Sequence, residues 1–375
     1  MSPVLPERNT MHDALKIVNP LFLLLLVTCT PACSSIGYYV QSIQGQLEIL
    51  QKSRPIDELL DEHKLPQQLL AKLDKIRQIR DFAITELSLP DNGSYRQFAD
   101  LGREYVVWNV FAAPELSLDK KHWCYLVVGC LNYRGYFSRD AAFQLANNLE
   151  EQGNDVYVGG VTAYSTLGWF ADPVLNTMLY RETTDLAKVI FHELAHQKIY
   201  INGDTEFNEA FAETVAIEGV ERWLRKIDNP ELTLLFIQEQ EREDTFVNLV
   251  LRYRYQLDEL YHSQLPDPQK RVTKTRILQQ MVNEYQQDRS TWSDGVTYDT
   301  WFALGVNNAK LNAVTTYRGY VPGFKNLLRS AGNNLARFYE LVEELGKCPA
   351  KIRKSILQSG DTGFSCQGFH TDVLK

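Results

Sequence analysis

The chain has 375 residues, 44% of them hydrophobic and 23% charged, an ordinary composition for a globular protein of one large or two small domains. The net charge of −8 argues against nucleic acid as a partner, because surfaces that bind nucleic acid are basic. None of the six cysteines forms a C-x-x-C pair, so the sequence offers no cysteine pair for a structural zinc module.

The N-terminus carries an apolar run at residues 21–27, which is too short to span a bilayer and fits the core of a secretory signal. The sequence around Cys33 resembles a bacterial lipoprotein signal. This resemblance predicts a signal peptide over residues 1–32 and a lipid on Cys33 that anchors the protein to a membrane facing the periplasm. Ser34 after the cysteine favours the outer membrane. An ordinary signal peptide and an uncleaved signal anchor are the alternatives.

Three segments follow. Residues 33–104 have the periodicity of amphipathic helices, and we expect them to pack on the catalytic unit. Residues 105–228 form that unit, and residues 229–375 form a C-terminal helical region. Strands are predicted at 105–111, 123–129 and 155–165. C-terminal helices are predicted at 230–263, 269–288, 301–315 and 320–345. The sequence therefore predicts an α/β (α+β) protein with helical additions at both ends.

The most informative stretch is an H-E-x-x-H pattern formed by His192, Glu193 and His196, on a helix predicted over residues 184–200. The two imidazoles lie one turn apart on one face, so both can bind a single metal ion. Glu193 leans over the same face without reaching the ion as readily, which suits a general base. The alternative is a pair of core histidines, whose burial would leave polar groups in need of partners.

The third ligand is expected from the next helix. Glu209 follows the second histidine by thirteen positions, which allows a short loop and an antiparallel return. Two histidines and one glutamate leave the fourth position of a catalytic zinc site open. Glu213, one turn beyond, is assigned to orient a histidine ring, with a surface carboxylate as the alternative. Glu206 and Glu218 are rival ligands.

The H-E-x-x-H pattern followed by Asn208-Glu209-Ala-Phe-Ala-Glu213 resembles the gluzincin metallopeptidases, which include thermolysin and the zinc aminopeptidases. Wider segments, among them YRGYF at 133–137 and GGVTAYSTLGWFADPVL at 159–175, resemble a family of bacterial lipoproteins described as aminopeptidases. The resemblance implies a gluzincin-like unit with a small, mostly antiparallel sheet. It also implies one Zn²⁺ ion bound by His192, His196 and Glu209, with Glu193 as base.

The function expected from these residues is hydrolysis of a peptide or protein substrate by a zinc-bound water, with Glu193 as proton acceptor. An aminopeptidase is preferred, although the chain has no G-x-M-E-N-like segment of the kind zinc aminopeptidases use. The alternatives are a metalloendopeptidase acting on envelope proteins or muropeptides, and a non-catalytic metal-binding scaffold that uses the hairpin at 230–288.

Two further groups of residues are candidates for the site. Tyr317 and Tyr320 could donate to the oxyanion, as a tyrosine or histidine does in gluzincins. The resemblance to gluzincins implies that the strand before the zinc helix is a substrate edge, which can receive a peptide by β-augmentation. Gly160, Tyr164 and Trp169 are therefore candidates for substrate binding. Packing in the core, the sheet or a loop is the alternative for all five.

The pairing of the four downstream cysteines stays open. Cys124 and Cys130 would lie about 20 Å apart in an extended strand, too far for a disulfide without a sharp turn. An oxidising compartment would allow two disulfides among Cys124, Cys130, Cys348 and Cys366, and buried free thiols are the alternative.

Overall fold

The computed structural model describes residues 30–125, 129–289, 298–360, 362–363 and 366. The apolar run of the predicted signal peptide lies outside them. The chain divides into two compact units, residues 1–47 and 48–375. Helix α1 (Thr30–Lys52) begins in the first unit and ends in the second. It includes Cys33, whose side chain is not described, so the lipid stays a prediction. Along the described ranges, no helix is both long enough and apolar enough to cross a membrane.

Three small sheets provide the β structure of the second unit. The central sheet has the order β6 (Arg134–Tyr136), β3 (Val107–Pro114), β7 (Asn154–Val161), and both pairings are antiparallel. A second sheet joins β1 (Arg54–Pro55), β2 (Gln97–Ala99) and β8 (Val174–Leu175), and a hairpin pairs β4 (Trp123–Tyr125) with β5 (Gly129–Leu131). Since β3 lies between its two neighbours, β7 is an edge strand. The expected small, mostly antiparallel sheet is confirmed.

Helices make up most of this unit. Two lie between β1 and β2 and one connects β6 to β7, namely α2 (Ile56–Glu62), α3 (Gln67–Leu87) and α4 (Arg139–Glu151). The next pair carries the H-E-x-x-H pattern and its downstream glutamates, namely α5 (Thr183–Lys198) and α6 (Thr205–Ile227). The C-terminal region adds α7 (Pro230–His262), α8 (Asp267–Asp288), α9 (Asp299–Ala303), α10 (Asn308–Arg318), α11 (Val321–Ser330), α12 (Leu335–Gly346) and α13 (Ala350–Ser359). Helices thus lie toward both ends of the described chain, as expected.

Close packing of α3, α5 and α6 fixes the helices that carry the chemistry. A Cβ atom at Gly219 would lie 2.6 Å from the Phe191 ring and 2.7 Å from the Leu87 side chain, so only glycine lets these helices approach so closely. The rings of Phe82 and Phe191 also meet, with centroids 5.9 Å apart. Both phenylalanines belong to the main hydrophobic core. Burial of this apolar surface stabilises the pair α5 and α6.

Four helices, α9 to α12, occur where the sequence predicts two. Two of these helices, α10 and α12, begin directly after an asparagine. Asn307 accepts a hydrogen bond from the backbone N–H of Lys310, and Asn334 accepts one from Arg337, so each asparagine caps a new helix. A predicted helix that runs through either position is wrong, because the side chain satisfies backbone donors that a continuous helix would bond internally.

Both cysteine pairs form disulfides. Cys124 and Cys130 lie opposite each other in the β4–β5 hairpin and are bonded. The single strand predicted over 123–129 is therefore wrong, since Gly129 begins the returning strand and brings the thiols together. Cys348 and Cys366 form the second bond, which ties the C-terminal segment to the end of α12.

Candidate metal centre

The loop between α5 and α6 sets the register of the two helices. Asn208 holds it from the first turns of α6, because its side-chain amide accepts from the N–H of Ile201 at 2.7 Å and donates to the carbonyl of Ile201 at 2.8 Å. Asp204 caps α6 by accepting from the N–H of Phe207, and the guanidinium of Arg353 holds the same carboxylate at 2.6 Å. These contacts position the residue after Asn208, which is Glu209, opposite the histidines.

His192, His196 and Glu209 form a compact triangle of ligand atoms. The two histidine Nε2 atoms are 3.1 Å apart, and Glu209 Oε2 lies 3.2 Å from His192 Nε2 and 3.4 Å from His196 Nε2. Ligands bound tetrahedrally to zinc at their usual distances lie about 3.3 Å from one another. Imidazole nitrogens and a carboxylate oxygen are also typical zinc ligands. The three residues therefore fit a divalent metal ion of this type.

A buried network of ion pairs contacts the triangle through His192. Glu213 Oε2 lies 3.4 Å from His192 Nδ1, so the carboxylate can fix the tautomer of that ring. Its Oε1 lies 2.9 Å from Lys188 Nζ and 3.2 Å from Arg318 Nη2. Both cations also contact Glu243 on α7. Glu213 is 8% exposed, so it is a buried group rather than a surface carboxylate.

The network keeps His192 protonated and Glu209 and Glu213 ionised. Burial lowers the pKa of His192, but the hydrogen bonds that its ring donates to Glu209 and Glu213 outweigh this and raise the pKa to about 10. Burial raises the pKa of Glu209, but His196 and His192 outweigh it and lower the pKa to about 2. Burial also works against the ionised form of Glu213, whose pKa is nevertheless held well below its usual range by Lys188 and Arg318. Such shifts at a buried cluster are typical of a functional site.

Glu193 lies beside the triangle and is not part of it. Burial raises the pKa of Glu193, the two histidines oppose that rise, and the carboxylates of Glu209 and Asp172 add to it. A carboxylate of raised pKa next to a metal site has the property that a general base needs. The position agrees with the role predicted for Glu193.

The two tyrosine candidates, Tyr317 and Tyr320, lie in different surroundings. Burial raises the pKa of Tyr317 well above its usual value, and the charges of Glu209 and Glu193 add to this rise. Its neighbour Arg318 lies 3.2 Å from Glu213, so Tyr317 is close to the ligands. Tyr320 is buried in the main core, and its hydroxyl hydrogen-bonds to Glu206 instead. The structure therefore brings Tyr317 to the metal centre, and Tyr320 to a different cluster.

The rival ligands are engaged elsewhere. Glu206 forms an ion pair with Lys120, a lysine that is largely buried. Glu218 accepts a hydrogen bond of 2.6 Å from Arg222. Neither glutamate belongs to the group that can hold a metal ion, whereas Glu209 does.

The predicted substrate residues have different surroundings. A Cβ atom at Gly160 would lie 2.5 Å from the ring of Tyr105, so glycine is needed there for packing against that ring. Tyr164 makes an edge contact with Phe137, with centroids 5.2 Å apart, and packs on the main core. Trp169 is 70% exposed. Of the two candidates with side chains, Tyr164 and Trp169, only Trp169 is largely exposed to solvent.

Asp172 holds the loop that carries Trp169 against helix α5. Its carboxylate accepts from the backbone N–H of Thr166 at 2.9 Å, from the Thr166 hydroxyl at 2.7 Å and from Ser165 at 3.1 Å. Gln197, the residue after His196, donates to the same carboxylate at 3.3 Å. The exposed tryptophan is therefore tied to the helix that carries both histidines.

Three residues at the centre are not among the sequence candidates. Lys188 precedes His192 by one helical turn, and this spacing on one face could have indicated it. Arg318 and Tyr133 come from remote parts of the chain. The pKa of Tyr133 is raised well above its usual value by burial and then by Glu209, so this phenol also lies near the ligands. No periodicity or spacing links either residue to the H-E-x-x-H helix.

Comparison with known proteins supports a peptidase assignment. The model of a family described as "putative aminopeptidase" matches residues 37–357, which include the whole of the metal centre. Searches of curated proteins and of solved structures find no match to the chain. Since the family model covers most of the sequence, the chain belongs to this aminopeptidase family.

Proposed function

We propose that the protein is a zinc-dependent metallopeptidase of the cell envelope, and more specifically an aminopeptidase. The observation that carries this proposal is the triangle of His192, His196 and Glu209 with the carboxylate of Glu193 beside it. A zinc ion held there would supply Lewis acidity to the scissile carbonyl and lower the pKa of a water molecule to about 7.

The protein's own groups have complementary tasks in such a reaction. Glu193 takes the proton of the attacking water and returns it to the leaving amine, and its raised pKa suits both transfers. Glu213 orients His192 through Nδ1 and is itself held by Lys188 and Arg318. Tyr317 donates a hydrogen bond to the oxyanion of the tetrahedral intermediate.

We propose that the peptide substrate binds along the outer edge of β7. Val161 accepts a hydrogen bond from Val106 on the side of β3, whereas the Val156 carbonyl accepts from the Asn307 side chain at 2.8 Å on the opposite side. Because backbone groups alternate along a strand, Val158 and Gly160 share the outward direction of Val156. No other strand among the described residues pairs with this edge. An extended substrate can add to it by β-augmentation.

One observation favours the endopeptidase alternative. An aminopeptidase needs an acidic group to bind the substrate's ammonium, and Asp172 is a carboxylate close enough to interact with Glu193. Its oxygens already accept from Thr166, Ser165 and Gln197, and the residue is only 2% exposed. Asp172 therefore does not offer an ammonium site, and an endopeptidase would need none.

The test compares zinc-loaded wild type with Glu193→Gln on a peptide library, with cleavage products identified by mass spectrometry. The variant should keep its zinc and lose roughly 10²–10⁴-fold in rate, because it removes only the base. Release of single N-terminal residues identifies an aminopeptidase, and internal cuts identify an endopeptidase. His192→Ala should lose the zinc itself. If zinc-loaded wild type cleaves no peptide, the protein is a non-catalytic metal-binding scaffold.

The envelope location rests on the lipid proposed for Cys33. Mass spectrometry of the mature N-terminus should find a diacylglyceryl cysteine at position 33 in a bacterial host. Cys33→Ala should leave the protein unlipidated and release it from the membrane fraction. An intact N-terminus with residues 1–32 still attached would rule out the lipoprotein signal.

A further inference from the structure

The β4–β5 hairpin packs against the loop between α5 and α6. A Cβ atom at Gly129, the first residue of β5, would lie 1.9 Å from Asn202 Oδ1 and 2.8 Å from the backbone nitrogen of Gly203. Conversely, a Cβ atom at Gly203 would lie 3.9 Å from the backbone nitrogen of Cys130. The second strand of the hairpin and this loop are therefore in direct contact, which glycine at position 129 allows.

The same loop sets the position of the third metal ligand. It joins the helix that carries both histidines to the helix that carries Glu209. Asn208 anchors one part of it by bonding to both backbone groups of Ile201. The next two residues, Asn202 and Gly203, contact the hairpin. A displacement of the hairpin would therefore displace the segment that leads into Glu209.

The hairpin has little besides its disulfide to maintain its shape. Each strand has three residues, and among the described residues the two strands pair only with each other. All of these strand residues are exposed or only partly buried, and an isolated two-stranded hairpin is marginally stable in water. The Cys124–Cys130 bond joins the central pair of the register, so it restricts the hairpin to the shape that fits the loop.

The two disulfides of the protein differ in their access to solvent. Cys124 is exposed, whereas Cys348 of the other bond is 2% exposed. The rate of thiol–disulfide exchange depends on access to the sulfur that is attacked. A dithiol that reduces the Cys124–Cys130 bond transfers two electrons and two protons to it. The S–S bond breaks, two cysteine thiols form, and the two thiols of the reductant become a disulfide.

We propose that the Cys124–Cys130 disulfide positions the loop between α5 and α6, and that its reduction by a dithiol weakens binding of the metal ion. The inference rests on the metal centre of the proposed function and is independent of which peptide bond is cleaved. In the oxidised protein, the hairpin supports the loop and Glu209 stays opposite the two histidines. In the reduced protein, the loop gains freedom, and binding the ion then requires the loop to be ordered again at a cost in conformational entropy.

The first test removes the bond with the double variant Cys124→Ser and Cys130→Ser. Its zinc affinity, measured by competition with a chromophoric chelator, should fall roughly tenfold, the lower end of the loss seen when a group that orients metal ligands is removed. Backbone amides of the loop at 199–204 should exchange hydrogen faster than in wild type when both proteins are free of metal. Treatment of the metal-free wild type with dithiothreitol should speed the same amides, with alkylation and mass spectrometry identifying Cys124 and Cys130 as the thiols released.

The second test disturbs the contact and keeps the disulfide. Gly129→Ala introduces a Cβ atom against Asn202 and Gly203, so it should also lower zinc affinity. Gly153→Ala is the matched control, because both glycines have a positive φ, +76° at Gly129 and +80° at Gly153, but a Cβ atom at Gly153 would meet nothing within 4 Å. Both variants should lose stability through backbone strain, and only Gly129→Ala should lose affinity for zinc.

Three results would overturn the proposal. One is a disulfide variant that binds zinc as tightly as wild type, which would leave the metal centre standing and remove its coupling to the hairpin. Another is equal zinc affinity of Gly129→Ala and Gly153→Ala. The third is faster exchange throughout the disulfide variant rather than in the loop, which would mean that the bond stabilises the whole fold. If wild type itself binds no zinc, the proposed metal centre fails and the coupling fails with it.

Discussion

Asn208 bonds to both backbone groups of Ile201, donating to its carbonyl and accepting from its N–H. The residue is 2% exposed, and it precedes Glu209 directly. The asparagine of the Asn-Glu pair is thus a clamp on the loop between the metal-binding helices. It controls where Glu209 lies relative to the histidines without touching the ion.

Asn208→Ala should therefore weaken zinc binding although all three ligands remain. Two backbone groups lose their partner, which should cost about 2–4 kcal/mol of unfolding free energy. The affinity for zinc should fall roughly tenfold, to be measured by competition with a chromophoric chelator. Asn208→Asp keeps the acceptor but sets a buried carboxylate oxygen against the Ile201 carbonyl, so its effect should be at least as large. Unchanged zinc affinity in Asn208→Ala would show that the loop keeps its register without the clamp.

Glu213→Gln should reduce zinc affinity, because the neutral amide no longer compensates the charge on His192 or fixes its tautomer. Loss of such a supporting carboxylate typically costs 10–100-fold in metal affinity. Glu218→Gln on the same helix is the control, since Glu218 pairs with Arg222. Equal zinc affinities of the two variants would remove Glu213 from the metal centre.

Arg318→Met should destabilise the protein by about 3–5 kcal/mol, because it removes a buried cation that contacts both Glu213 and Glu243. Arg225→Met is the matched control. Arg225 lies on α6 with a side chain that is 61% exposed, and its loss should cost less than about 1 kcal/mol. Urea unfolding measures both changes. A similar, small loss in both variants would mean that the buried network contributes no more than a surface ion pair.

The pKa of His192 predicts a pH dependence in the metal-free protein. This pKa is raised from 6.5 to about 10, so the imidazolium stabilises the fold fully below pH 6.5, and this contribution is lost as pH rises toward 10. His192→Ala should remove that part of the slope of unfolding free energy against pH. Zinc binding must displace the same proton, so zinc affinity should increase with pH by about tenfold per unit.

Calorimetry in buffers of different ionisation enthalpy measures how many protons are released when zinc binds. Zinc binding to the wild type at neutral pH should release about one proton from His192. Zinc binding without proton release would show that the ring is already neutral before the ion arrives.

The metal ligands could be predicted from sequence because their geometry is local. The spacing of His192 and His196 fixes one face of one helix, and a short loop limits where Glu209 can lie. The other residues of the centre come from distant parts of the sequence. Arg318 is more than a hundred residues from Glu213, and Tyr133 lies in a strand connection far from α5, so only tertiary packing brings them together. The Cys124–Cys130 disulfide likewise depends on the antiparallel pairing of β4 with β5, which the pattern of strand residues does not reveal.

The buried network also has a consequence for which ion the centre accepts. Glu193, Glu209, Glu213 and Glu243 supply four negative charges when ionised, and Lys188 and Arg318 supply two positive ones. Two negative charges remain in a region with little access to water, where uncompensated charge is costly. A divalent cation brings the sum to zero, and a monovalent cation does not. The centre is therefore expected to prefer a divalent cation, because Lys188 and Arg318 leave this residual charge uncompensated.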